Sequence, residues 1–173
     1  MNSKTIRLGK FDDLATLQDL ERAAGAPFAE YGMSSIADDD PISIDLLADY
    51  CRDERLWVCV DTMDHPIAYI IVDIVDECGH IEQVSVHPTQ SGRRIGHALI
   101  ETVAEWASHR KLQALTLTTF SEIPWNAPYY ERLGFEIVPH AEQSPGLRRI
   151  RNLEREHGLD RWPRVCMKRK ISE

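Results

Sequence analysis

The sequence predicts an α+β fold built on a single mixed sheet, and three observations lead there. Between residues 56 and 86, apolar strand-like runs follow one another through tight turns, as in an antiparallel meander. From residue 81 to residue 119 the order changes to strand, helix, strand. The chain of 173 residues is long enough for one domain with a real core and too short for two comfortable ones. Residues 1–173 are therefore expected to form one domain.

The elements follow in order. Thr5–Leu8 reads as a first strand. Asp12 and Asp13 then offer an N-cap for a helix with Leu14, Leu17 and Leu20 on one face, ending near Gly25. Residues 25–40 carry Gly, Pro, Ser and three consecutive aspartates without a clear period, and read as loop. Asp40-Pro41 has the form of a cap followed by proline at the first helical position, which places Leu46, Leu47 and Tyr50 on the buried face of a second helix. Leu56–Val60 is a strand, Asp61–Pro66 a turn, and Ile67–Val75 a longer strand, apolar on both faces and so central. Asp76–Gly79 turns into the strand of Ile81, Val84 and Val86, which stops at Pro88.

A helix from Gly96 to about Arg110 keeps Leu99, Ile100, Val103, Ala104 and Ala107 on its inner side. Leu115–Thr119, alternating and β-branched, is the next strand. A short helix over Asn126–Leu133 leads to a strand at Phe135–Val138. Leu147, Ile150 and Leu153 then recur at helical spacing up to Gly158, a C-terminal cap, and Val165–Ile171 closes the set.

Composition narrows the function. An apolar fraction of 43% with 28% charged residues is that of a globular protein. No apolar run approaches a membrane span and no hydrophobic signal region follows Met1, so no membrane and a cytoplasmic location are expected. The cysteines at 51, 59, 78 and 166 lack C-x-x-C pairing and read as reduced thiols. The seven histidines are scattered without ligand spacing, so no metal is expected. A net charge of −8 argues against nucleic acid. The charge is uneven: residues 148–173 hold nine Lys/Arg against four Asp/Glu, and the rest of the chain eleven against twenty-four. This basic tail reads as a solvated face rather than a docking element.

The chemistry points to the turn after Val86. Ser91-Gly92-Arg93-Arg94-Ile95-Gly96 joins a strand to a helix, leaving several main-chain N–H groups unpaired at the positive end of the helix dipole. Such a turn suits phosphate oxygens, with Gly92 and Gly96 allowing close approach and Arg93 and Arg94 adding charge. It is neither a Walker loop, since no Gly-Lys-Ser/Thr follows, nor a dinucleotide fingerprint.

A second segment follows about thirty residues on: Trp125-Asn126-Ala127-Pro128-Tyr129-Tyr130-Glu131-Arg132-Leu133-Gly134-Phe135. Together the two stretches resemble the GNAT superfamily of acyl-CoA-dependent N-acyltransferases. Val86-His87-Pro88 before the turn, Gly92 and Gly96 in it, Ala98-Leu99 after it, and Tyr130 to Phe135 carry the resemblance, which covers roughly residues 67–140. Ser91 stands where the family usually has Gln or Arg, and Arg94 where it usually has the first glycine. The resemblance implies a mixed, mostly antiparallel central sheet of about six to seven strands flanked by helices. It also implies transfer of an acetyl group from acetyl-CoA to a primary amine by direct attack in a ternary complex.

Roles follow from the same resemblance. Tyr130, four residues before the glycine of Gly134-Phe135, corresponds to the general acid; a phenol with pKa ~10 is protonated at neutral pH and can donate to a thiolate. Asn126 corresponds to an asparagine that contacts CoA; its other reading is a plain N-cap. Val84 and Val86 would pair through their backbone with the pantetheine arm, and Ser91, Gly92, Arg93, Arg94, Ile95, Gly96 and His97 would surround the pyrophosphate. Glu82, on the strand face of Val84 and Val86, is the first candidate base, with His80 and water as alternatives. Residues 25–40 and 141–163 would meet a small-molecule or protein amine, and the latter segment could instead form a homodimer contact. The rival class is a non-catalytic CoA-binding sensor or interaction module; the presence of Tyr130 favours an enzyme.

Overall fold

The computed structural model describes residues 4–172. Its strands make one seven-stranded mixed sheet in the order β1-β2-β3-β4-β5-β7-β6, flanked by helices, as the α+β reading anticipates. The chain divides into two compact units: residues up to Val72 with Glu82–Thr102, and Asp73–Ile81 with the residues from Val103 onward.

In the first unit, β1 (Thr5–Leu8) lies antiparallel to β2 (Leu56–Val60), and β2 antiparallel to β3 (Pro66–Val75). Leu14, Leu17 and Leu20 of α1 (Leu14–Gly25) pack with Leu56, Val58, Tyr69 and Ile71 into one core. Ala68 to Val72 are buried on both faces of β3, which its unbroken apolar run anticipates.

Three expectations in this unit are corrected. Asp13 does not cap α1 with its side chain; the chain enters through a 3-10 turn at Phe11–Asp13. The Asp13 carboxylate instead accepts two hydrogen bonds from the Arg7 guanidinium, at 2.7 and 3.1 Å, and one from the Lys10 N–H at 2.8 Å. A planar fork of charged donors outcompetes a single main-chain N–H. Burial alone would raise the Asp13 pKa, but these donors hold it below the usual carboxylate value.

Residues 25–40 are not plain loop: a 3-10 helix at Ala26–Tyr31 ends on left-handed Gly32, and α2 spans Ser34–Ala37. Nor does Pro41 open the second helix. The Ile42 N–H donates to Glu21 Oε2 and its carbonyl accepts from Gln18 Nε2, both at 2.9 Å, which fixes this residue ahead of the helix. Helix α3 (Ile44–Arg52) starts later, capped by Ser43 Oγ, which accepts from the Leu46 N–H at 3.2 Å. With that start Leu47 and Tyr50 face the core, while Leu46 is 45% exposed.

In the second unit, the start of β4 (Cys78–Val86) runs parallel to β5 (Ala114–Phe120), pairing Gly79 with Leu115 and His80 with Thr116. β7 (Arg164–Lys170) lies antiparallel to β5 and to β6 (Glu136–Val138). Helix α4 (Ile95–His109) buries Leu99 and Ile100 on its part in the first unit and Val103 and Ala107 on its part in the second, with Ala104 half-buried. Helices α5 (Ala127–Arg132) and α6 (Pro145–Glu156) complete the set. The N-terminus of α6 is anchored by Asp76, whose Oδ2 accepts from the Gly146 N–H at 2.7 Å. Ser144 and Gly146 hold the Asp76 carboxylate below its ordinary pKa. A Cβ at Gly146 would lie 2.4 Å from Val75 Cγ1, so the approach is open to glycine alone.

The basic tail is only partly a solvated face. Glu154 Oε2 accepts from Arg151 Nη1 at 3.0 Å and Arg164 Nε at 2.7 Å, and these three side chains are only 10–12% exposed. Asp160 accepts from Arg151 at 2.8 Å and Arg155 at 3.0 Å. The tail's charges turn toward one another because α6 brings Arg151 and Glu154 three residues apart onto one face.

Candidate active site

The turn expected to hold a diphosphate lies in the first unit, between a 3-10 helix at Pro88–Gln90 and α4. The chain before it is tied down by the His87 N–H donating to the Ile67 carbonyl at 3.0 Å. The Ser91 N–H is used by the Pro88 carbonyl, at 3.1 Å. Gly92 (φ +78) and Arg94 (φ +57) both take left-handed backbone. At Gly92 that conformation is free; at Arg94 it costs about 1 kcal/mol. The departure of Arg94 from a glycine-bearing pattern thus coincides with a position where glycine relieves strain.

The first main-chain bond into α4 runs from the Ala98 N–H to the Arg94 carbonyl, at 3.1 Å. The N–H groups of Ile95, Gly96 and His97 come before it and have no carbonyl one turn back. They form a donor cluster at the positive end of a fifteen-residue helix. The Arg93 Nη1 donates to Gln90 Oε1 within the turn, which leaves most of its five N–H donors unspent. The His97 ring sits 3.4 Å from Glu101, so its side chain turns along the helix and its contribution here is its main-chain N–H.

The strand leading to this turn carries Glu82, Val84 and Val86 at alternate positions of β4, with Glu82 exposed and both valines half-buried. The opposite side holds Ser85, buried, whose Oγ accepts from Gln83 Nε2 at 2.9 Å. His80, the alternative base, is 2% exposed and sits 2.9 Å from Thr116 Oγ1 through its Nδ1. Burial holds its pKa below the ordinary histidine value, so it is neutral and shut away from solvent.

Asn126 and Tyr130 lie together in the second unit. The Asn126 carbonyl accepts from the N–H groups of Tyr129 (2.9 Å) and Tyr130 (3.0 Å), opening α5, but its side chain makes no cap bond. Tyr130 is 8% exposed, edge-on to Tyr129 at 5.4 Å and to Phe135 at 5.8 Å between ring centroids. Its carbonyl receives the Phe135 N–H at 3.1 Å, and the left-handed Gly134 (φ +89) makes that reversal possible. Burial, and to a lesser extent Tyr129, push the Tyr130 hydroxyl above the ordinary phenol pKa. It therefore stays protonated throughout the working pH range.

Each cluster is chemically coherent: one offers directed N–H groups and positive charge, the other a buried phenol beside an uncommitted amide. The Arg151–Glu154–Arg164 network was not foreseen. Its only sequence signal is the Arg-x-x-Glu spacing at residues 151–154.

The sequence model of the "Acetyltransferase (GNAT) family" matches residues 16–135. Among solved structures, the chain is similar to the ribosomal-protein-S18-alanine N-acetyltransferase from Escherichia coli, with a TM-score of 0.66 and 18% identity over 99% of this chain and 96% of that one. It is similar also to the PaiA N-acetyltransferase from Thermoplasma acidophilum, solved with coenzyme A, with a TM-score of 0.69 and 15% identity over 97% and 99%. An acetyltransferase of the GNAT family from Staphylococcus aureus Mu50 gives a TM-score of 0.75 at 9% identity over 98% and 100%.

Proposed function

The chain belongs to the acetyltransferase (GNAT) family, and on that premise we propose that it carries an acetyl group from acetyl-CoA to a primary amine by direct attack in a ternary complex. The observation that carries this reading is the donor cluster of Ile95, Gly96 and His97 behind the left-handed turn at Gly92 and Arg94. It suits the CoA diphosphate, with Ser91, Arg93 and Arg94 around it and the backbone of Val84 and Val86 along the pantetheine arm. Asn126, its side chain uncommitted to α5, is assigned a contact to CoA.

Holding both reactants together supplies most of the rate. The amine attacks the thioester carbon, the C–N bond forms and the C–S bond breaks. Glu82, exposed on β4, takes the ammonium proton directly or through water. Tyr130, kept protonated by burial, donates its O–H to the sulfur as negative charge develops there. Residues 25–40, with Phe28, Glu30, Tyr31, Asp38 and Asp39, form the wall for the amine of a small molecule or protein.

Thiol release from acetyl-CoA across a panel of amines tests the reading. Saturable release with at least one amine, lost about 100-fold in Tyr130→Phe, is expected. CoA binding without release from any amine would replace it with a non-catalytic CoA-binding module. Full turnover in Tyr130→Phe would remove the phenol from the mechanism, and an unchanged pH–rate profile in Glu82→Gln would remove the base.

A further inference from the structure

The C-terminal arginines do more than pair with carboxylates. A cavity of about 290 Å³ opens between α6 and the β6–β7 pair, and Arg148, Arg151, Arg155 and Arg164 all line it. No carboxylate lines it. Glu154 and Asp160 hold Arg151, Arg155 and Arg164 by Nε and Nη bonds of 2.7–3.0 Å without lining the cavity themselves. Four guanidinium groups against two carboxylates leave a net charge of +2 at this wall.

Nor are the donors exhausted. Each guanidinium has five N–H groups. Arg148 donates only to the Ala141 carbonyl, at 3.3 Å, and has no acidic partner. Arg155 donates to Asp160 and Asn152, and Arg164 to Glu154 and Thr118. The carboxylates and the Phe120 ring, 4.4 Å from the Arg164 guanidinium, fix their orientation before any ligand arrives.

The lining also contains the apolar Ile137, Val138, Pro139 and Val165, together with His140, Asn152 and Cys166. Gln143 lines it as well, and its Nε2 donates to the Val138 carbonyl at 3.4 Å. Its Oε1 is buried without a hydrogen-bond partner, the single such side-chain atom among the described residues. A buried acceptor left unmatched costs on the order of 1–3 kcal/mol.

We propose that this cavity is a binding site for a small organic anion: a carboxylate or phosphate for the arginines and a short carbon skeleton for the apolar part of the lining. The cavity volume suits a metabolite rather than a polymer. The anion is either the acidic group of the acceptor itself or that of a separate effector. The binding site itself needs neither CoA nor Tyr130; only the acceptor alternative rests on the acyl-transfer reading.

Calorimetric titration of the full chain with malate, with inorganic phosphate and with the neutral diamide malamide tests it. Malate binds, phosphate binds more weakly for want of an apolar contact, and malamide does not bind. Arg148→Gln leaves the ion-pair network intact and weakens malate about tenfold. Arg149→Gln, one residue along α6 and outside the lining, leaves the affinity unchanged. Malate that competes with the acceptor amine in the thiol-release assay marks the acceptor's own acid group, and malate that alters turnover without competing marks an effector. No malate binding, or equal weakening by Arg148→Gln and Arg149→Gln, overturns the proposal.

Discussion

Arginine is used in two opposite ways in this molecule. Arg93 and Arg94 sit on a turn whose main chain is partly strained, with one side-chain bond, to Gln90, between them. Arg151 and Arg164 are clamped by Glu154 and largely withdrawn from water, Arg164 also lying over the Phe120 ring, while the more exposed Arg155 is held by Asp160. On the proposed reading, the first pair faces the CoA phosphates. The second group forms part of the chain's own framework, and only its surplus charge is free to act outward. A count of positive charges in the sequence cannot distinguish the two; the positions of the carboxylates can.

The difference is broken most severely at Glu154. Glu154→Ala removes the acceptor shared by Arg151 and Arg164, strands the poorly solvated Arg164, leaves Arg151 with Asp160 alone and is expected to cost about 3 kcal/mol. A thermal scan would show this as a Tm about 6–12 °C lower. Gly146→Ala tests the anchor of the same helix: the new Cβ collides with Val75 and Asp76, and about 2 kcal/mol is lost by chemical denaturation. On the turn the expectation reverses. Arg93→Ala changes stability by less than about 0.5 kcal/mol yet weakens CoA about tenfold, as calorimetry can check.

Acid sharpens the contrast further. Burial favours protonation of Asp160, but Arg151 and Arg155 hold its pKa below the unfolded value, and Arg7 and Lys10 do the same for Asp13. Their contribution is complete above the ordinary aspartate pKa and is lost as pH falls through the lowered folded values. Glu21 has the opposite sign: burial raises its pKa, so stability declines as pH rises from its unfolded value through its folded one. Urea melts from pH 3 to 7 are expected to gain midpoint steeply at the acid end, and Glu21→Gln is expected to remove the opposing trend. The smallest effect belongs to Arg94→Gly. Relief of the left-handed backbone, less the added freedom of the unfolded chain, is expected to stabilise by about 0.5 kcal/mol.

How much of this was legible beforehand follows a physical line. Period and propensity located every strand, because β2 and β3 are apolar on both faces and β5 alternates. Local rules failed where a distant side chain intervened. Asp13 has the chemistry of a cap, but Arg7 claims its carboxylate. Asp40-Pro41 has the form of a helix start, but Gln18 and Glu21 of α1 fasten Ile42 and delay the helix to Ile44. At the candidate site, the turn could be read because glycines and arginines between strand and helix have few other uses. Asn126 was read as either a cap or a contact, and its side chain does not cap. His80 shares the alternating strand face of Glu82 and so reads as a second candidate base; its burial against Thr116 depends on β5, which lies more than thirty residues away.

The central claim is that the bend ahead of α4 grips the diphosphate of CoA. Calorimetric titration of the protein with CoA, set beside pantetheine, which shares the thiol arm and lacks the phosphates, tests it most directly. Saturable one-to-one binding of CoA, about a hundredfold tighter than pantetheine, is the expected result. Equal affinity for the two, or no heat with CoA at millimolar concentration, would contradict it.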